Sequence, residues 1–270
     1  MLSWRSFERE ISKTTAPDPV RPAYLFRGQS AKEWPLQSSL QRVLRLYPGI
    51  TAEKALQLES ELLERFQSQA HLHLRGEFLP MGEDPLQWWQ VMQHYGSPTR
   101  LLDWTASPYV AAYFAVFENW DRDGAIFEIH PYTLQKWAQD AETKRGEDGT
   151  KESQERLRDP SAPDEIRPVP MRRHSDRTVA QQGHFTYALH ILGDQEALIS
   201  EACVDATSHL KLIVPRKLKP QFLQRLHVMN VGANALFPGD DGLGRYIGDL
   251  ARLAVYKRAE AENTGVWEDK

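Results

Sequence analysis

The chain is nearly without cysteine: Cys203 is the single one in 270 residues. That excludes an internal disulfide framework and fits a reducing compartment. With one Cys and nine scattered His there is no cluster to fill a tetrahedral zinc site. Cys203 stands between Ala202 and Val204 in an apolar run, so it reads as an inert buried thiol rather than a nucleophile. No stretch approaches the roughly 20 apolar residues a membrane span requires. The first residues, Met1 to Glu8, lack a basic segment followed by an apolar one, so a soluble, cytoplasmic protein is expected. Glycine-rich phosphate loops and Gly-x-Ser-x-Gly elbows are missing. The acidic run at Asp240-Asp241-Gly242 lacks the alternating ligands of a calcium loop. There is no excess of basic charge either: a net charge of −4 and a pI near 6.2 argue against a general nucleic-acid-coating surface.

What is present suits a globular core, with 41% hydrophobic and 10% aromatic residues. Trp4, Phe7 and Ile11 at helical spacing predict a short opening helix, and Pro17, Pro19 and Pro22 an extended connector. Ala23 to Arg27 reads as a strand ending at Gly28. Thr51 caps a long helix marked by Ala55, Leu58, Leu62, Phe66 and Ala70, with Glu53, Glu59, Glu61 and Glu64 on its wet side. Trp88, Trp89 and Met92 predict another helix. Ser107-Pro108 starts a nearly wholly apolar one, and Gly124 to His130 is a strand. The segment 140–170 is rich in charge and proline and has no aromatic residue, which predicts a flexible insertion. Strands are expected over 179–192, 197–204 and 210–214, and amphipathic helices over 222–229 and 243–256. The fold class is therefore α+β, one domain with a mixed, largely antiparallel β core flanked by helices. Residues 1–22 form its helix and connector, 23–258 the domain, and 259–270 a polar tail.

The chemistry concentrates in Gln93-His94-Tyr95-Gly96-Ser97-Pro98-Thr99-Arg100-Leu101-Leu102-Asp103-Trp104-Thr105, which mixes ionisable and aromatic groups around a Gly and a Pro. Upstream, Arg27 at a strand end has two readings: a planar fork for phosphate or carboxylate, or a structural partner of a carboxylate such as Asp103. Gly28 removes bulk so that a ligand can approach the backbone. His94 suits acid–base work or simple backbone hydrogen bonding. Arg100 and Asp103 are expected to pair within the motif. Thr99 and Thr105 are natural caps. Gln182 and His184 would share one strand face.

Phe26-Arg27-Gly28-Gln29, the central motif, the Ala111–Ala115 helix, Gln182-Gly183 with Phe185, and Leu236-Phe237-Pro238 through Asp241-Gly242 resemble the FRG-domain family over about residues 20–250. Tyr24-Leu25-Phe26-Arg27-Gly28, and Asp103-Trp104-Thr105 leading into the Ala- and Phe-rich helix, are similar more distantly to ADP-ribosyltransferases. That similarity implies a split sheet and NAD as substrate, with no metal. It implies ligand binding by Arg27, Gly28, Gln29, Tyr95 and Thr105, with Arg27 on the pyrophosphate and Tyr95 or His94 on the nicotinamide. Catalysis would involve His94, Asp103, Gln182 and His184, because the family's late glutamate is replaced here by Gln182-Gly183-His184. The expected function is an ADP-ribosyltransferase-like or NAD-cleaving effector in a toxin or phage-defence setting, with a nucleotide ligand and a macromolecular target. The alternatives are a non-catalytic nucleotide sensor or interaction module, a metal-independent hydrolase using His94 or His184, and a purely structural role for both motifs.

Overall fold

A computed structural model describes residues 3–14, 24–74, 79–80, 82–146, 153–169, 175–203 and 209–264. The expected connector lies outside these residues. In chain order the elements are α1 (Trp4–Thr14), β1 (Leu25–Gln29), α2 (Ser39–Leu44), α3 (Ala52–His73), α4 (Pro85–His94), β2 (Leu101–Thr105) and α5 (Pro108–Val116). Then follow β3 (Gly124–Ile129), α6 (Pro131–Lys144), α7 (Ser153–Arg156), β4 (Ile166–Pro168), α8 (Asp176–Ala180), β5 (Gly183–Ala188) and α9 (Gln195–Ala202). The last are β6 (His209–Val214), α10 (Lys219–Val228), α11 (Ala233–Leu236) and α12 (Asp240–Thr264). The protein is α+β, as its composition of elements predicts. The strands form one sheet in the order β4-β5-β2-β1-β3-β6, and every pairing is antiparallel. The seam between β1 and β2 is held by one register pair, Phe26 with Thr105, whereas β1 meets β3 along its whole length. The strands therefore begin to diverge in the middle of the sheet.

Alternation along the strands sorts side chains into two layers. Phe26, Ile126 and Val214 turn to one face and pack with α1, α5, α10 and α11. Leu25, Phe127, Ile129, Leu102 and Trp104 turn to the other, against α9 and Leu134 of α6. Back on the first face, Leu101, Phe185 and Tyr187 are covered by α3 and α4. Helix α5 lies unusually close to the sheet. A Cβ at Gly28 would stand 1.8 Å from the Ala111 carbonyl oxygen, and one at Gly124 would stand 2.2 Å from that of Ala115. Gly28 is thus required by the helix packed on it, a packing reason that stands beside the expected one of ligand approach. Ser107 caps α5 by accepting a hydrogen bond from the Val110 amide, and Pro108 supplies its first turn.

Arg100 does not pair with Asp103. Arg100 lies in the bend just before β2 and reaches α3 and the middle of α4, whereas Asp103 lies within β2 and meets Gln93 near the end of α4. Arg100 is buried at 1% exposure and makes a forked ion pair with Glu59 of α3, its Nε donating to Oε1 at 2.7 Å. Its remaining N–H groups reach the carbonyls of Leu189 at 3.0 Å and Leu157 at 3.1 Å, and its plane lies 4.8 Å from the Trp89 ring centroid. Burial pushes the Glu59 carboxyl upward, while Arg100 pulls it the other way. Glu59, expected on the wet side of α3, is there to meet this arginine.

Three further expectations need correction. The segment 140–170 is not simply a flexible insertion: it contains the end of α6, then α7, then β4, and it buries Leu157, Ala162, Ile166 and Val169. Its charges satisfy one another, with Arg167 bonded to both Glu142 and Glu165, Arg156 beside Glu142 and Arg145 on Glu165. Residues 195–202 form a helix rather than a strand, because Asp194 caps it by accepting from the Glu196 and Ala197 amides. Helix α12 turns Leu243, Ile247 and Leu250 to solvent instead of the core. It also runs on to Thr264, past the expected start of the polar tail.

Removing one partner of a buried ion pair leaves the other charge uncompensated, at a cost of about 3–5 kcal/mol. Glu59→Ala should therefore lose about that much stability in urea unfolding, and adding Arg100→Met should recover a substantial part of it. Gly28→Ala should lower the unfolding midpoint in the absence of any ligand, because its Cβ meets helix backbone that cannot move alone.

Candidate functional site

On the first face of the sheet, α5 covers β1 and β3 while α4 covers β2 and β5. The β1–β2 seam between them is left open, and a cavity of about 250 Å³ lies there. Its floor includes Arg27, Asp103 and Thr105. Gln93 and His94 come from α4, Phe114 from α5, and Arg177 and Thr178 from α8, with His184 on β5. A second cavity of about 790 Å³ shares His94 and Arg177 and continues past Tyr95, Phe237 and Asp241. A third of about 590 Å³ shares Arg27, Gly28 and Phe114 and is bordered by Gln29, Trp34 and Arg42.

Arg27 meets Asp103, as the structural one of its two readings expects. Its side chain is 18% exposed, and its Nη1 donates to the Asp103 carbonyl at 2.8 Å and stands 3.6 Å from Oδ2 of the Asp103 carboxylate. Its Nε is buried with no hydrogen-bond partner among the described residues. Burial lowers the pKa of Arg27, against the opposing effect of Asp103. Asp103 is aimed by Gln93, whose Nε2 donates to Oδ1 at 2.7 Å while its Oε1 accepts from the Thr99 hydroxyl. Arg177 faces the same carboxylate. Burial again lowers its pKa first, Asp103 raises it and Arg245 lowers it further. Arg177 lies over the Phe237 ring at 4.9 Å, and Arg245 over the same ring at 4.5 Å.

His94 ends α4. Its Nδ1 is 3.3 Å from the Ser175 hydroxyl, and its ring meets Tyr95 edge-on at 4.7 Å. Burial lowers its pKa, nearby Arg177 lowers it further and Asp176 opposes them. Burial and Arg177 thus favour the neutral imidazole, the form able to accept a proton.

Of the residues singled out by sequence, Arg27, Gly28, His94, Asp103, Thr105 and His184 line the central cavity. Tyr95 and Gln29 line the adjoining ones. Gln29 is 6% exposed, and its amide donates to the Pro35 carbonyl at 3.3 Å. The Thr105 hydroxyl is engaged in the scaffold, donating to the Gln181 carbonyl at 2.6 Å and accepting from the Ser107 amide. Gln182 is not on the strand with His184. It occupies a left-handed turn at φ 47° before β5, and Gln181 takes its place at the cavity. Gln181 is fixed there by its side-chain amide, which donates to the Leu236 carbonyl at 3.0 Å.

Sequence reasoning missed Arg177 and Gln181 and gave Gln93 no role. The run Ser175-Asp176-Arg177-Thr178 carried the available signal, since a Ser followed by an acidic residue marks a helix start. Ser175 does cap α8, accepting from the Thr178 amide.

Residues 22–124 match the family model described as the FRG domain. The chain carries an FRG domain. The match includes Arg27, Gln93, His94 and Asp103, whereas Arg177, Gln181 and His184 come from beyond the matched FRG segment. No curated protein and no solved structure matches the chain.

The depressed pKa of His94 has a pH signature. Folded and unfolded chains are both neutral at this position above the ordinary histidine value of about 6.5. As pH falls through that value the unfolded chain protonates first, so stability is lost on the acid side. In an NMR titration His94 should titrate below the ordinary value. Arg177→Gln should move its midpoint upward and Asp176→Asn downward; an unchanged midpoint in Arg177→Gln would assign the shift to burial alone.

Proposed function

We propose that the FRG domain of this chain binds an anionic nucleotide of NAD-like size over the β1–β2 seam. The observation that carries this reading is the placement of two partly desolvated arginines, Arg27 and Arg177, around a single carboxylate, Asp103, beside open volume. With His94 neutral, positive charge exceeds negative in the central cavity, and a phosphate group would complete the balance. Planar guanidinium groups suit phosphate oxygens, and the unpartnered Nε of Arg27 supplies a donor. The central cavity alone, at about 250 Å³, is smaller than a usual ligand pocket of about 300–1,000 Å³, whereas the adjoining spaces, at about 790 and 590 Å³, each fall within that range. Tyr95, Phe114 and Trp34 provide flat faces for aromatic rings.

The reaction such a site supports is cleavage of the nicotinamide–ribose bond. The C1′–N bond breaks with its electron pair leaving on nicotinamide, which departs neutral, and positive charge builds on the ribose. Asp103 is the one carboxylate among the described residues lining the central cavity, and it is the group available to stabilise that charge. Water then adds at C1′ and gives its proton to His94. An acceptor on a macromolecule in place of water would make the reaction ADP-ribosyl transfer, the chemistry of a toxin or defence effector.

One observation favours a second reading, a nucleotide sensor without turnover: the Asp103 carboxylate is already engaged by Gln93 and by Arg27. Calorimetric titration with NAD and chromatographic assay of released nicotinamide separate the two. Arg27→Ala should weaken NAD binding by about tenfold or more, and Asp103→Asn should keep binding within a few-fold while lowering nicotinamide release about 100- to 1,000-fold. Saturable binding without release by the wild type would establish the sensor. Failure of the wild type to bind NAD or ADP-ribose would overturn both.

A further inference from the structure

Helix α12 is built inside out. Its core-facing row is Gly242, Tyr246, Asp249 and Leu253, and that row buries a carboxylate, Asp249, which accepts a hydrogen bond from the Tyr113 hydroxyl at 2.9 Å. Its outward rows are more apolar. Leu243, Ile247, Leu250 and Ala254 follow four-three-four spacing, and Gly244, Gly248, Ala251 and Val255 run beside them. Leu243 is 62% exposed, Ile247 55% and Val255 67%. A helix normally turns its apolar stripe inward, and here the more apolar stripe has no cover among the described residues.

The ends of this face carry opposite charge. Asp240 lies on it one turn before Leu243, and Arg258 lies on it one turn after Ala254; both are exposed. Residue 249 is the midpoint between 240 and 258, and also between Leu243 and Val255. A two-fold axis at that position lays two copies of α12 antiparallel, apolar rows together, with Asp240 of each copy against Arg258 of the other. The acid-to-base span is about 27 Å at 1.5 Å per residue. Glycine and alanine in the second row permit close approach of the two backbones.

We propose that the chain forms a two-fold dimer through antiparallel pairing of the outward face of α12. A contact of one helix pair sits at the small end of specific interfaces, near 1,200 Å² or below, which suits a dissociation constant in the micromolar range. Sedimentation of the full chain across a micromolar concentration series should show reversible dimerisation, and Ile247→Glu should abolish it with an unchanged circular dichroism melt. Asp240→Lys and Arg258→Glu should each weaken the dimer by about tenfold, since each alone sets like charges together twice. Mixing the two single variants should restore wild-type affinity, because both contacts in the mixed dimer then join opposite charges. A chain that stays monomeric throughout the series would overturn the proposal. So would a dimer indifferent to Ile247→Glu, or single variants that mixing fails to rescue.

Discussion

The guanidinium of Arg100 fixes several separate parts of this molecule at one point. It holds Glu59 of α3, the carbonyls of Leu157 and Leu189, and the Trp89 ring of α4, all out of contact with water. Desolvating two charges is expensive, so the pair contributes more to geometry than to net stability. What it fixes matters for the cleft. With Arg100 anchored just before β2, the strand that follows carries Asp103 to the seam. With Trp89 anchored, the last turn of α4 carries Gln93 and His94 to the same place.

The elements that could be read from sequence were those whose signals are local. The Thr51 and Ser107 caps, the apolar run of α5 and the alternation of β3 each depend on near neighbours in the chain, and each appears where expected. Long-range partners were not legible. The sequence shows that Arg100 and Asp103 are close in number, but not that Glu59, far upstream, lies against Arg100. The charge in 140–170 looked solvated because its pairing among Glu142, Arg156, Glu165 and Arg167 exists only once the chain folds back. At residues 195–202 the apolar content favoured a strand, and the Asp194 cap decided for a helix.

The candidate site follows the same division. Arg27, His94 and Asp103 were legible because unusual residue types sit at punctuated positions. Arg177 was not, because nothing in its own neighbourhood indicates that α8 packs across the seam from β1. Two arginines around one carboxylate give the cleft a shortage of negative charge that neither motif displays alone. The near-separation of β1 from β2 supplies the opening in which that shortage is exposed.

Gly28 carries a different implication. The Phe26-Arg27-Gly28 run makes the chain recognisable, yet its third residue answers to the distance between a helix and a sheet. Layer spacing and the proposed ligand contact are thus written into adjacent positions of one strand. On that proposal, variation in Arg27 would retune what the cleft accepts while the scaffold persists, whereas variation at Gly28 would take the scaffold with it. On the function proposed above, a chain that kept this glycine but lost the arginine would retain the architecture and give up the nucleotide.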